Sequence, residues 1–373
     1  MTGNPKSPAP DPATLAAVRR QILAWWDKGH RDMPWRQSRD PYAIWVSEIM
    51  LQQTQVATVV PYYRRFLRAF PSVDALAAAP PEAVLKAWEG LGYYSRARNL
   101  HRAAQQIIER HGGKVPQGVA ALRALAGVGR YTAGAIASIA FNRPEPVLDG
   151  NVKRVLCRLL AITGDPRKPA VERRLWAIAQ SLVPAKRPGD FNQAVMDLGA
   201  LVCTPMGARC SACPLQRRCL ARKLGIVSKL PRKVRRKPLP HYDIAAAVIW
   251  RGRKLLIDKR PNAGLLGGLW EFPGGKMHKG EKAAAAAVRE SAEELGIVVR
   301  PLQAEPLISV EHAYSHFRIT LHAVVCRYVR GPARAIGCQE FKWVTLGDLD
   351  RYAFPAANHR IIAALRRGQE QAL

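Results

Sequence analysis

The spacing of apolar residues gives the chain two textures. In "PATLAAVRRQILAWWDKG" the residues Leu15, Val18, Ile22 and Trp25 recur at helical intervals and the run stops at Gly29, so it reads as an amphipathic helix. "DPYAIWVSEIMLQQTQV" opens with Asp40, a good N-cap, and puts Pro41 at the first helical position, where a missing N–H costs nothing. More helix-length runs follow, broken by "PSVD", "APPE", "HGGKVP" and "RPEP", and no convincing strand occurs between about residue 13 and residue 220. Beyond residue 240 the pattern changes. "IAAAVIW", "KLLIDKR", "FRITLHAVVCRYV" and "FKWVTL" read as strands, with one clear helix, "EKAAAAAVRESAEEL", among them.

The expected architecture is therefore multidomain. A disordered tail (1–12) precedes an all-α domain (13–222), a basic linker (223–240) and an α+β domain (241–373). Residues 229–240, "KLPRKVRRKPLP", hold six basic residues and three prolines in twelve positions, too little apolar surface to pack a core.

Charge narrows the partner. Lys and Arg total 58 against 28 acids, a net +30, which attracts a polyanion; nucleic acid is the leading candidate and an acidic membrane surface its competitor. No strongly amphipathic basic helix and no membrane-length apolar run supports the second, and the start lacks the apolar core of a signal peptide. The expectation is a cytoplasmic, nucleoid-associated monomer. Of seven cysteines, four lie together as Cys203-x6-Cys210-x2-Cys213-x5-Cys219, a spacing that closes around zinc or an iron–sulfur cluster and leaves the two open. Arg209, Arg217, Arg218, Arg222 and Lys223 flank it with charge suited to phosphate.

In "LAGVGRYTAGA", Gly127 and Gly129 permit backbone conformations closed to other residues and let amides approach a ligand. A helix from Arg130 adds free N–H groups and a positive dipole end, which makes a phosphate site that reads no base. Leu125 and Val128 anchor the hairpin.

The turn "LAGVGRYTAGAIAS" (a helix-hairpin-helix, 122–138), the downstream "VLDGNVKRV" and the four-cysteine loop (203–219) together resemble the endonuclease III superfamily of DNA glycosylases. "WVSEIMLQQTQV", "GLGYYSRARNL", "FNQAVMDLGALVC" and the extra C-terminal domain resemble, within it, the MutY family of adenine glycosylases. Ala126 and Met33 are small departures, where proline and leucine are common. The resemblance implies a [4Fe–4S] cluster on the four cysteines, two lobes around a cleft, and double-stranded DNA with 8-oxoguanine:adenine mispairs as partner, beside repair or replication proteins.

It also distributes roles. Glycosidic cleavage needs a proton on the leaving base and a stabilised sugar cation, work for two carboxyls with separated pKa values. Glu48, among Ile44, Trp45, Leu51 and Gln52, is the acid, its proton held by desolvation. Asp149 caps a helix, stays ionised and faces or attacks the sugar, with Asn151 positioning water or carboxylate. Lyase members carry lysine where Tyr131 stands; tyrosine forms no imine, so the chain reads as monofunctional, with Tyr131 placed to contact the sugar or the catalytic carboxylates. Gln53 and Tyr93 match wedges that fill the duplex when the adenine flips out, and Trp35, Arg36 and Gln193 match its pocket.

The C-terminal domain carries Gly275-x5-Glu281-x7-Arg289-Glu290-x2-Glu293-Glu294-x-Gly296, which resembles the Nudix box, with Ser291 in place of an aliphatic residue. Glu290, Glu293 and Glu294 share a helix face suited to Mg²⁺ and a diphosphate. MutY proteins instead use such a domain to recognise 8-oxoguanine, with Tyr314, Ser315 and His316 matching the reading loop. The competing readings are a strand-cutting glycosylase/lyase and a nucleotide pyrophosphohydrolase tethered to nucleic acid.

Overall fold

The computed structural model describes residues 11–232, 238–262 and 264–370. Most of the expected tail (1–10) and the centre of the basic linker (233–237) lie outside them. The molecule divides into two compact units, one of residues 1–77 and 102–236, the other of residues 78–101 and 237–373.

The first eleven helices are α1 (Pro12–Asp27), α2 (Pro41–Leu51), α3 (Val56–Ala69), α4 (Val73–Ala78), α5 (Pro81–Trp88), α6 (Ser95–His111), α7 (Val119–Arg123), α8 (Arg130–Ile139), α9 (Gly150–Leu159), α10 (Pro169–Leu182) and α11 (Pro188–Asp197). A short α12 (Leu220–Lys223) follows the cysteine loop. Asp11 caps α1 by accepting from the Thr14 N–H at 2.9 Å, which starts the helix at Pro12. The buried stripe is Val18, Ile22 and Trp26. Trp26 replaces the expected Trp25 because it continues the four-residue step from Ile22. This stripe returns onto α9, α10 and α11 and forms one core with Val155, Leu159, Leu175, Ile178 and Phe191.

Part of the expected linker belongs to the helical unit. Leu230 is buried, and its carbonyl accepts from Arg158 Nε at 2.8 Å. The fixed turn hides an apolar residue that the surrounding basic run obscures.

In the second unit an eight-stranded sheet is built from β1 (His241–Arg251), β2 (Lys254–Lys259), β3 (Trp270–Glu271), β4 (Gly274–Lys276), β5 (Val298–Pro301), β6 (Ile308–Ala313), β7 (Arg318–Arg330) and β8 (Glu340–Val344). The path runs β3-β2-β1-β7-β5, with β1 and β7 parallel. The centre of β1, Ala245 to Ile249, is apolar without alternation because both faces are covered there. Ala246 and Val248 meet Ile361, Ile362 and Leu365 of α14 (Ala356–Glu370), while Ala245, Ala247 and Ile249 meet Ala286, Ala287 and Leu295 of α13 (Ala283–Leu295). Helix α14 joins the one helix read from the sequence; its apolar stripe is short and lies between arginines. Ser291 acts as a small core residue, donating its hydroxyl to the Ala287 carbonyl at 2.6 Å.

Candidate active site

Helix α2 carries Glu48 into the interior of the first unit, where the residue is 5 % exposed. Desolvation pushes its carboxyl up to about 7, and the Asp149 charge adds to the rise; a hydrogen bond from Tyr131 and the Arg36 charge pull the other way. The Tyr131 hydroxyl donates to Glu48 Oε2 at 2.9 Å and lies 3.2 Å from Met196 Sδ. Tyr131 is the second residue of α8, so the glycine turn places the phenol directly on the acid. Burial raises the phenol well above its ordinary value, and it stays a neutral donor.

Asp149 caps α9 as expected. Its Oδ1 accepts from the Val152 N–H at 2.7 Å and its Oδ2 from Asn151 Nδ2 at 2.9 Å. The cap does not set its pKa alone. Burial raises the carboxyl above its ordinary value, against the cap, Asn151 and the Arg154 charge, which pull it down. Removal from water opposes the cap that the sequence makes visible.

Two close approaches assemble the pair. A methyl on Gly134 would lie 2.2 Å from the Pro146 carbonyl, and one on Gly199 would lie 2.7 Å from Asn151 Cβ. Only glycine lets α8 press against the segment leading to Asp149, and lets the turn after α11 press on the start of α9.

Arg36 and Gln193 also come together. Arg36 Nε donates to Gln193 Oε1 at 3.0 Å, and Arg36 Nη1 to Asp197 Oδ2 at 2.9 Å. Asp197, which sequence reasoning missed, is 1 % exposed and also pairs with Arg31. These donors hold it below the usual carboxylate range despite its burial. Its signal was an aspartate four residues after Gln193 in an apolar run. Trp35 is buried edge-on against Tyr63, with centroids 5.4 Å apart. Gln53, just past α2, has the left-handed φ of 59°, and Tyr93, in the second unit, has 49°. Both conformations are strained for residues with a Cβ.

In the hairpin, Leu125 and Val128 are buried as expected. Gly127 has φ 74°, but Gly129 has φ −82°, extended backbone open to any residue. The conformational argument therefore holds for Gly127 and fails for Gly129, which leaves the N-terminus of α8 without a side-chain cap. Arg130 is exposed, its guanidinium 4.0 Å from the centre of the Trp176 ring.

Cys203, Cys210, Cys213 and Cys219 line one cavity together with Arg158, Val202 and Ala208. Among the described residues, no three His, Cys, Asp or Glu side chains converge on a position for a single ion. Burial pushes the Cys213 thiol up to about 11, and the other three cysteines add to the rise. Arg158 Nη1 lies 3.4 Å from Cys203 Sγ and donates to the Thr204 carbonyl at 2.7 Å. Arg154 joins this loop to the acid pair: its Nε donates to the Cys203 carbonyl at 2.6 Å and its Nη2 to Asn151 Oδ1 at 2.7 Å. Asn151 in turn holds Asp149. Arg209, Arg217, Arg218, Arg222 and Lys223 are all exposed.

In the second unit Arg289 answers the box carboxylates, pairing with Glu281 at 2.9 Å, Glu290 at 2.7 Å and Glu293 at 3.0 Å. Glu294 turns inward instead. It is raised to about 7 by burial and by the Glu271 charge, and it accepts from the Gly274 N–H at 3.2 Å. Buried Asp258, unforeseen in an apolar strand, is raised by desolvation and by the Glu271 and Glu294 charges. Of the expected reading loop, Ser315 and His316 are exposed, whereas Tyr314 packs inward on Phe317 with centroids 4.9 Å apart.

Comparison with known proteins follows this geometry. Residues 46–181 match the family described as "HhH-GPD superfamily base excision DNA repair protein", and residues 245–364 match the NUDIX domain. The curated adenine DNA glycosylase of Homo sapiens is 40% identical, over 83% of this chain and 67% of that protein. That of Mus musculus is 39% identical, over 94% and 78%. This chain belongs to the adenine DNA glycosylase family. The solved structure of a thermostable thymine-DNA glycosylase is 31% identical with a TM-score of 0.52, covering 56% of this chain and 97% of that one. The helical half is thus a glycosylase scaffold shared with an enzyme named for another base, and the adenine glycosylase relatives extend beyond it.

Proposed function

We propose that the protein hydrolyses the N-glycosidic bond of adenine mispaired with 8-oxoguanine, or with guanine, in base excision repair. The observation that carries this reading is a buried glutamic acid near neutral pKa, hydrogen-bonded by Tyr131 and acted on by the Asp149 charge. Glu48 delivers a proton to a ring nitrogen of the flipped adenine, which leaves as a neutral base. Asp149, held by Val152 and Asn151, stabilises the positive sugar from the opposite side. Water then supplies the hydroxyl at the sugar carbon and releases its proton. Arg36 and Gln193 offer donors and an amide edge to the base, and Gln53 and Tyr93 fill the vacated stack. Exposed N–H groups at the start of α8 and the basic side chains around the cysteine loop take backbone phosphates without reading sequence.

The four cysteines line one shared cavity, and four thiolates gathered there suit a [4Fe–4S] cluster, as the family resemblance implies. When bound, such a cluster would compensate four thiolates and fix the loop whose Cys203 carbonyl holds Arg154 of α9 against Asn151. Metal and acid-labile sulfide analysis of the purified protein is expected to give about four iron and four sulfide per chain; one zinc and no sulfide would reverse the assignment.

A duplex with adenine opposite 8-oxoguanine tests the activity. Free adenine is expected, with an intact strand until alkali is added and no covalent capture by borohydride, since Tyr131 forms no imine. Efficient capture would move the chain to the lyases. For the C-terminal domain we favour lesion reading by Ser315 and His316 over Mg²⁺-dependent hydrolysis, because Arg289 already engages Glu290 and Glu293. Turnover of 8-oxo-dGTP without adenine release would favour the hydrolase.

A further inference from the structure

The segment 78–101 packs in one unit with the Nudix-like fold, and several of its hydrogen bonds to that fold come from Lys86, Glu89 and Tyr94, near Tyr93. Glu89 follows α5 and is largely buried. It accepts from the Phe354 N–H at 2.8 Å, pairs with His359 Nε2 at 3.1 Å and with Lys86 Nζ at 2.6 Å. Lys86 continues the link by donating to the Tyr352 carbonyl at 2.9 Å. Tyr94 donates to the Phe354 carbonyl at 3.3 Å while accepting from the Gly90 N–H at 3.1 Å. Phe354 and His359 flank the start of α14, so two residues of the 89–94 turn hold the same short stretch of the Nudix-like fold.

Between those clamps the backbone is left-handed, which glycine accepts freely and Tyr93 does not. Gly90, Gly92 and Tyr93 have φ of 94°, 71° and 49°. The Trp88 indole donates to the Gly92 carbonyl at 3.2 Å, and the Arg96 guanidinium lies 5.4 Å from the Tyr93 ring centre. Tyr93 is 39 % exposed. A left-handed, half-exposed aromatic persists only when its surroundings over-determine the backbone. Here the surroundings include the C-terminal domain.

We propose that Glu89 is a positioning residue for Tyr93, through which the Nudix-like fold fixes the pose of the aromatic wedge. The domain that reads the lesion then also sets the side chain that opens the duplex. This rests on the adenine glycosylase reading, in which Tyr93 enters the base stack.

The test is a mutant cycle on binding to a duplex with an abasic site opposite 8-oxoguanine, read by fluorescence anisotropy at fixed salt. Tyr93→Ala and Glu89→Ala are each expected to weaken binding about tenfold, the scale of one lost base–aromatic contact. The double variant should bind no more weakly than Tyr93→Ala. Glu89→Gln, which keeps an acceptor for the Phe354 N–H, should recover part of the loss, and His359→Ala should give a smaller loss of the same kind. Wild-type binding by Glu89→Ala, or an equal further loss in the Tyr93→Ala background, would overturn the proposal. If Glu89→Ala does not fold, as judged by thermal unfolding, the same cycle with His359→Ala decides by the same criterion. Adenine release by the wild type is measured separately. Its absence would sink the proposed activity, while the binding cycle still reports on the clamp.

Discussion

Glu48→Gln is expected to lower single-turnover adenine release by about 10²–10⁴-fold, the usual contribution of a positioned general acid. The amide keeps the shape and still accepts from Tyr131, so the loss isolates the proton. Wild-type release should decline towards tenfold per pH unit above about 7, where Glu48 gives up its proton, and the variant's remaining activity should lack that limb. The same substitution is expected to stabilise the protein in alkali. The folded state holds a proton on Glu48 that the unfolded chain, near 4.5, releases. Stability therefore falls as pH rises from about 4.5 to about 7, and above that the cost of the buried charge is complete, roughly 3 kcal/mol. Glutamine carries no such cost, so its advantage in denaturant unfolding should vanish at pH 4 and be fully developed by pH 8. Unchanged release, or equal stability at both pH values, would remove Glu48 as the acid.

Asp149→Asn is expected to reduce release by about 10²–10³-fold, the scale of losing one preorganised electrostatic partner of a developing charge. The fold should survive. Asparagine caps helices about as well as aspartate, and one of its two ends still accepts from Val152 or Asn151. The other end faces a donor with a donor, a cost of about 1 kcal/mol, partly offset because no charge remains buried. Affinity for undamaged duplex should be unaltered, since phosphate contacts dominate it. A variant with wild-type release would leave the sugar cation without its partner and require another group opposite the base.

The alternation of apolar positions settles much of this molecule before folding is considered. Helix α2 with its Asp40–Pro41 start, the strands β1, β2, β7 and β8 and helix α13 follow from local spacing and capping, as do the buried anchors Leu125 and Val128. The residue types at Glu48, Asp149, Tyr131 and the four cysteines, in their motifs, name the chemistry. Local pattern cannot show what packs against a residue from far along the chain. Trp26 takes the core in place of Trp25, and Leu230 is buried inside a basic run. Asp197 holds Arg36, and Asp258 is buried in a strand that looks merely apolar. All four depend on partners distant in sequence. Desolvation is likewise a property of the assembled interior: the motif supplied Glu48, but only the packing of α2 against α8 brought Tyr131 to it and lifted its pKa. For Asp149 the same burial opposed the capping that sequence made visible. The attachment of residues 78–101 to the Nudix-like fold lies furthest from sequence reading, because its hydrogen bonds run between backbone and side-chain groups about 265 residues apart.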